Sequence, residues 1–466
     1  MTAHNTTNHA PPASEPRLSR SGRGDDHLWD RSIETMSPAE LHDRLEVPRL
    51  RRQLIHTFDN SPFWRDRFDT AGITRGDLDN GIDFESFPFT EKRELLLDQV
   101  NHPPYGRLPA VSHDDIRRVH RTSGTASRPF FTLLTGRDVE TTVEAGARAF
   151  WCAGLRPADT VVHCLSYCLW SGGVTDHLCL ERTGATVIPY GVGNSRYLLE
   201  LIQTLKPTAI SCTPSYLERL AELLVNEMGV TPASLSLRKG LFGGEPGVSD
   251  PNFRSAIERQ WGIQAVDANY GMSDVLSIFG SECRYRSGLH FHGAGILLPE
   301  LIDPSTMHAV PIQGGARGEL VLTHLMRQAQ PLIRFRTGDV VRILAVGDCH
   351  CGRSGFRFAV LGRCDDMIVV KGVNLFPHAF RDVLARFSDR LTGAYRVVLD
   401  DQMPRRFVRL RVEVRSSVED HRRAELARTV ERSIRDTLQV QARITWAQEG
   451  SLGRNQGKTQ LTETAV

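Results

Sequence analysis

Polar and charged residues dominate the chain up to residue 28, and a charged, Leu-rich pattern then runs from residue 29 to 100. Within it "DNSPFWRDRF" and "FPFTEKRELLLDQ" read as helices, with Thr90 and Glu91 ahead of Leu95, Leu96 and Leu97 predicting a helix start. From residue 139 to 365 short apolar runs alternate with longer amphipathic ones. "DTVVHCLSY", "GATVIPYG" and "PTAISCTP" predict strands, while "RYLLELIQTLK" and "SYLERLAELLVNEMG" carry apolar residues at helical spacing. Strand and helix in alternation predict a doubly wound α/β layer structure. After Gly362 the texture changes to "DDMIVVKGVNLFPHAFRDVLARF", two strand-like runs, "AYRVVLD" and "RFVRLRVEVR", and a charged helix, "VEDHRRAELARTVERSIRDTL". The expected organisation is a disordered lead-in over residues 1–28, a large unit over 29–362 and a small α+β unit over 363–466, joined through Arg363-Cys364-Asp365-Asp366.

Length agrees with two units, because 466 residues exceed what one hydrophobic core usually organises. The charge balance, 57 Lys plus Arg against 55 Asp plus Glu, contains no long block of one sign, so nothing demands nucleic acid or an anionic membrane as a partner. No segment offers the roughly 18 uninterrupted apolar residues of a membrane helix, and the start lacks the apolar core of a signal peptide. A cytoplasmic protein is expected. Its nine cysteines therefore read as thiols or metal ligands rather than disulfides. Cys152, Cys164, Cys168, Cys179 and Cys212 have apolar neighbours and read as buried, inert thiols; four others have polar neighbours.

One hydroxyl-rich stretch stands apart: Thr122-Ser123-Gly124-Thr125-Ala126-Ser127, then Arg128 and Pro129. Successive N–H groups in a Gly/Ser/Thr turn hold an anion, and hydroxyls with a cation can complete a phosphate grip. Alone, the stretch reads equally as a polar turn. Four segments follow it in order: "GGEP" (Gly243 to Pro246), "NYGMSD" (Asn269 to Asp274), "RFRTGD" (Arg334 to Asp339) and "GRCDDMIVVKGVNLFP" (Gly362 to Pro377), with Lys458 in a late Gly-containing loop. Together with "SPFWRDRF", "FPFTEKREL", "TPSYLERLA" and "THLMRQAQPLIRFRTGD", this set resembles the adenylate-forming ligase superfamily, and more narrowly the phenylacetate–CoA ligase group.

The resemblance implies a large α/β domain of layered sheets and helices with a small mobile α+β domain, and a reaction in two halves. A carboxylate joins the α-phosphate of ATP, releasing pyrophosphate, and the acyl group then passes to a thiol, usually that of coenzyme A. Thr122, Ser123, Gly124, Thr125 and Arg128 would grip the pyrophosphate; the family commonly has Gly and Lys where Ser127 and Arg128 stand here. Gly244, Glu245 and Pro246 would lie along the adenine, with Asn269, Tyr270 and Gly271 at the border of adenine and substrate. Asp274 stands where the family usually has Glu, the Mg2+ contact, and a shorter carboxylate still suits a hard cation. Asp339 would hold the ribose hydroxyls with Arg363 nearby, Asp365 would be the hinge, Lys458 would serve adenylation, and Gly372 would border the coenzyme A channel in the rotated form.

A small aromatic acid is the implied substrate, in a pocket lined by Tyr167, Trp170, Tyr216 and Gly243. Asp176, where the family more usually has small uncharged residues, is expected to face an amino or hydroxyl group on the ring. Separately, Cys283, His290, Cys349 and Cys351 form a soft set that suits structural Zn2+, with His292 and His350 as spares. Transfer to an amine, a carrier-protein thiol or another nucleophile is the alternative second half. A nucleotide sensor without turnover is the reading of another class, against which Lys458 speaks. A symmetric homodimer is the default assembly.

Overall fold

The computed structural model describes residues 27–80, 84–122, 129–364, 368–370, 373–375, 377, 379–399, 407–452 and 461–464. Five parallel strands, in spatial order Thr186–Pro189, Thr160–His163, Ala209–Cys212, Lys239–Gly243 and Gln264–Met272, form one half of a twelve-stranded sheet. Alternate residues of these strands enter different cores, as a period of two requires. Val161, Ala209, Leu241 and Val266 pack under helices Gly136–Cys152 and Ser171–Arg182. Val162, Ile210, Phe242 and Ala265 pack under helices Ser195–Leu205, Pro214–Met228 and Pro251–Trp261. This half is doubly wound, as the sequence predicts.

The alternation does not continue to residue 365. After Gln264–Met272 the sheet turns antiparallel through Leu276–Glu282, Leu289–Phe291, Phe356–Arg363, Phe335–Val346, Arg317–His324, Leu297–Ile302 and Ala309–Val310. Antiparallel neighbours need only turns between them, so no helix is required and one face is left free. The helices before residue 101 cover it. Trp64 and Phe68 bury against Phe279, Leu322, Phe335 and Phe358, and the Trp64 indole Nε1 donates to the Pro331 carbonyl at 2.9 Å.

Local sequence explains how that cover is placed. Ser61 caps helix Pro62–Thr70, accepting the Trp64 N–H, with Pro62 at the first helical position. Helix Lys92–Asn101 begins after Glu91, whose own N–H bonds the Glu94 carboxylate at 2.8 Å. Thr90 serves a different purpose: it bridges to Phe335 in the sheet, giving its N–H to Arg334 and its hydroxyl to Ile333. Cys168, expected to be buried, is exposed, because it lies in the loop that leaves strand Thr160–His163.

The C-terminal unit has its own core. Phe380, Val397, Leu410, Val412, Val430 and Ile434 pack together between a four-stranded sheet and helix Asp420–Leu438. The sheet runs Ala442–Ala447, Val408–Val414, Leu391–Leu399, Thr462–Thr464. Among the described residues no helix is long and apolar enough to cross a membrane.

Trp64 is fully buried and joins the N-terminal cover to the sheet. Trp64→Ala should therefore cost about 3–5 kcal/mol of stability. Chemical denaturation, followed by circular dichroism, measures the loss.

Candidate active site

In a parallel sheet flanked by helices, ligands bind beyond the carboxyl ends of the strands. Three segments leave that edge here. Tyr167 and Trp170 follow strand Thr160–His163, Thr213 and Tyr216 follow Ala209–Cys212, and Gly244-Glu245-Pro246 follow Lys239–Gly243. Strand Gln264–Met272 brings Asn269, Tyr270 and Gly271 to the same edge, with Asp274 in the turn beyond.

Two glycines make this packing possible. A Cβ on Gly243 would lie 2.4 Å from the Asn269 carbonyl oxygen, and one on Gly271 would lie 2.0 Å from that of Ser277. Glu245 turns back to accept the Ser215 N–H at 2.7 Å, which ties the Gly244–Pro246 turn to the start of helix Pro214–Met228. Tyr270 donates its hydroxyl to Asp339 Oδ2 at 2.8 Å, and Arg363 donates to Asp339 Oδ1 at 3.0 Å. Burial and the Asp339 charge both push the Tyr270 phenol above its ordinary range, so it stays a donor. Asp339 and Arg363 meet because they are register partners on strands Phe335–Val346 and Phe356–Arg363.

Asp274 is nearly buried. Its Oδ2 pairs with Lys92 Nζ at 3.0 Å, while Oδ1 is buried without a hydrogen-bond partner among the described residues. An orphaned carboxylate oxygen beside a shielded one fits a hard divalent cation, which takes oxygen ligands. Sequence reasoning assigned no role to Lys92. It lies in "FPFTEKREL", one of the segments that carry the resemblance, and that segment is the sequence signal for it.

The aromatic wall is hydrogen-bonded from behind. Tyr167 Oη lies 3.0 Å from His177 Nδ1, and His177 Nε2 lies 3.1 Å from Glu181. Tyr216 Oη meets Ser195 Oγ at 3.1 Å. The Trp170 ring covers Gly172 and reaches Gly244, where a Cβ would lie 3.6 Å from both Trp170 and Thr213. Under the wall, buried His163 spans Ser211 Oγ and the Gly172 carbonyl, and burial lowers it to about 4, keeping it neutral. Asp176 differs from its expected place. It is fully buried, and both oxygens are engaged, Oδ2 by Asn269 Nδ2 at 2.5 Å and Oδ1 by the Ser277 hydroxyl. A buried carboxyl needs such partners, so it is not turned to a ring substituent.

Of the expected nucleotide contacts, Thr122 is buried at the end of strand Ile116–Arg121, its hydroxyl unpartnered among the described residues. Ser123, Gly124, Thr125, Arg128, Asp365, Gly372 and Lys458 lie outside the described residues.

A second constellation lies where the end of strand Leu276–Glu282 and strand Leu289–Phe291 meet the turn between Phe335–Val346 and Phe356–Arg363. Cys283, His290, Cys349 and Cys351 are all buried, and one donor atom from each lies within 4.8 Å of the other three. Cys283 and Cys349 sulfurs are 3.9 Å apart, and Cys351 sulfur is 3.6 Å from His290 Nε2. A tetrahedral zinc with ordinary bond lengths needs about 3.8 Å between two sulfurs and about 3.6 Å from sulfur to nitrogen. The neighbouring Cys283 thiol, opposed by burial and aided by His290, holds Cys351 far below the thiol range. Burial raises Cys349, yet His290 and the Cys351 N–H bring it down to about 7. His292 points elsewhere, to Ser281 Oγ at 2.8 Å, and His350 is exposed against Tyr285. Arg353, next to the cluster, forms a buried pair with Glu34 at 2.7 Å.

The family model of the AMP-binding enzymes matches residues 53–325, and that of the AMP-binding enzyme C-terminal domain matches residues 372–462. A phenylacetate-coenzyme A ligase of Aromatoleum evansii is 33% identical over 418 residues, 88% of this chain and 91% of the relative. The crystal structure of 2-hydroxyisobutyryl-CoA ligase in the postadenylation state, in complex with R3-HIB-AMP, is 29% identical and superposes with a TM-score of 0.85 over 98% of this chain and 94% of that one. The same ligase with 2-HIB-AMP and CoA in the thioesterification state is 28% identical, with coverage of 98% and 94%, and superposes with a TM-score of 0.68. Family matches over both units, relatives similar along nearly the whole chain, and the site at the sheet edge agree: the chain belongs to the AMP-binding, adenylate-forming enzymes, and within them to the phenylacetate–CoA ligase group.

Proposed function

We propose that this chain is an ATP-dependent aryl acid–CoA ligase. A carboxylate oxygen of a small aromatic acid, benzoate- or phenylacetate-like and open to amino or hydroxyl substitution, attacks the α-phosphorus of ATP. The bond to the β-phosphate breaks and pyrophosphate leaves. The sulfur of coenzyme A then attacks the acyl carbon, the bond to AMP breaks, and the thiol proton passes to solvent. The observation that carries this reading is the gathering of Glu245, Asp274 and the Tyr270–Asp339–Arg363 network at one sheet edge, beside the wall of Tyr167, Trp170 and Tyr216.

Each residue then has a task. Asp339 and Arg363 hold the ribose, Gly244, Glu245 and Pro246 line the adenine, and Asn269, Tyr270 and Gly271 separate it from the acid. Thr122, Ser123, Gly124, Thr125 and Arg128 grip the pyrophosphate. Asp274 holds Mg2+, which supplies positive charge against the phosphates, and Lys92 shields Asp274 otherwise. Lys458 meets the charge that builds between carboxylate and phosphate. The small unit, 363–466, turns about Asp365 to exchange Lys458 for the region of Gly372 at the thiol channel. Cys283, His290, Cys349 and Cys351 hold a structural Zn2+ remote from this chemistry.

Three outcomes test the reading. With ATP, Mg2+ and coenzyme A, a panel of benzoates and phenylacetates should yield acyl-CoA by mass spectrometry; acyl-AMP that persists in coenzyme A would point to an amine or carrier-protein acceptor instead. Lys458→Ala should slow acid-dependent pyrophosphate release by about 10²–10³-fold while still converting supplied acyl-AMP to acyl-CoA. Protein purified without added metal should carry about one zinc per chain by elemental analysis, and Cys349→Ser should lose it together with thermal stability; absence of zinc with freely alkylated Cys349 would refute the metal site.

A further inference from the structure

Asp176 sits in the sixth position of helix Ser171–Arg182, fully buried. Aspartate is a poor residue for a helix interior and a costly one to bury, so neither helix formation nor hydrophobic packing explains it. What its carboxyl does is bridge. Asn269, which donates to Oδ2, belongs to strand Gln264–Met272, and Ser277, which donates to Oδ1, belongs to strand Leu276–Glu282. Those two strands form the hairpin that carries Tyr270, Gly271 and, in its turn, Asp274. The ladder between them is irregular from Tyr270 to Met272, where an outside tie has most to add.

The same helix grips the hairpin a second time and supports the acid wall with its other residues. Ser171 Oγ meets Ser273 Oγ, beside Asp274, at 2.7 Å. Trp170 precedes the first helical residue, and His177, next to Asp176, holds the Tyr167 hydroxyl. We propose that Asp176 is a positioning residue, whose buried carboxyl locks helix Ser171–Arg182 to both strands of the hairpin so that the acid wall and the nucleotide platform keep one mutual geometry. This deepens the ligase reading above and rests on it.

Burial raises the Asp176 carboxyl to about 7, against the pull of Ser277 and Asn269. The titratable groups that sense its charge are Cys179 on its own helix and Tyr167; around Cys179 stand Arg118 from strand Ile116–Arg121, Glu144 from helix Gly136–Cys152, and Arg182 at the end of its own helix. No cation pairs with Asp176 among the described residues. A folded-state value above the ordinary one means stability fully present below about pH 4 and lost as pH rises through about 7. Asp176→Asn, which keeps the volume and the Ser277 acceptor, removes that slope.

The test uses the full chain, with acid-dependent pyrophosphate release by the parent measured first. Asp176→Ala should lower kcat by about 10²-fold, the cost of a misplacement on the order of 1 Å, and raise KM for ATP and for every acid alike. Ser277→Ala should do the same more weakly. Asp176→Asn should retain most activity while flattening the fall of melting temperature between about pH 4 and 7. An Asp176→Asn protein with the parent's pH profile, together with unaltered KM values in Ser277→Ala, overturns the proposal. So does an effect confined to the acid KM that varies with the ring substituent, because that is the signature of direct contact. Should the parent release no pyrophosphate with any acid, the ligase reading fails, and the tie is judged by hydrogen exchange alone: Asp176→Ala must then lose protection across residues 264–282, and unchanged protection overturns it.

Discussion

The site depends on how one strand hydrogen-bonds. Gln264–Met272 runs parallel to Lys239–Gly243 on one side and antiparallel to Leu276–Glu282 on the other. Parallel pairing demands crossovers, which put helices on both faces; antiparallel pairing demands only turns, which leave a face for the N-terminal helices. The two regimes meet along this strand. Gly243 and Gly271 let backbones approach there more closely than a side chain would allow. The groups that would hold a nucleotide come from the parallel half through Glu245, and from the antiparallel half through Asp339 and Arg363. Tyr270, on the seam strand, touches the second set directly.

The parallel half is readable in the sequence where a strand such as Ala209–Cys212 is buried along its whole length and a helix such as Ser195–Leu205 has one apolar stripe, so "PTAISCTP" and "RYLLELIQTLK" announce themselves. The antiparallel half is not. Strands such as Arg317–His324 are nearly all buried yet lie between short turns, and no periodicity separates such runs from crossover strands. The metal-type cluster was legible from residue type, since three thiols and an imidazole with polar neighbours have few other uses, and the fold does gather all four. Asp176 reads differently in the structure than in the sequence, for a physical reason. Sequence shows an unexpected carboxylate near a substrate segment, whereas its partners Asn269 and Ser277 are 93 and 101 residues away. Lys92 was missed for the same cause, its partner Asp274 being 182 residues distant.

The arrangement of the two units is itself informative. One relative superposes with a TM-score of 0.85 in its postadenylation state and 0.68 in its thioesterification state, so the present arrangement sits nearer the former. The small unit touches the large one through polar contacts at the Gly244–Pro246 turn. Arg381 donates to the Pro246 carbonyl at 2.7 Å, and Asp382 faces the Asp250 carboxylate; burial and that neighbouring charge raise Asp382 above its ordinary range. Interfaces between domains of one chain are generally more polar than permanent ones, which permits relative motion. Contacts of this kind can be exchanged for contacts with water.

The buried pair between Glu34 and Arg353 joins residues 319 positions apart. Chains emerge from the ribosome at about 5–20 residues per second. Glu34, on the first short helix, is therefore synthesised long before the guanidinium that neutralises it. The N-terminal cover must wait, with its charge solvated, until the cysteine-bearing loop around residue 350 arrives. In the order of synthesis, this tie on the beginning of the large unit can form only late, and the loop that makes it is the one that brings Cys349 and Cys351 to Cys283 and His290.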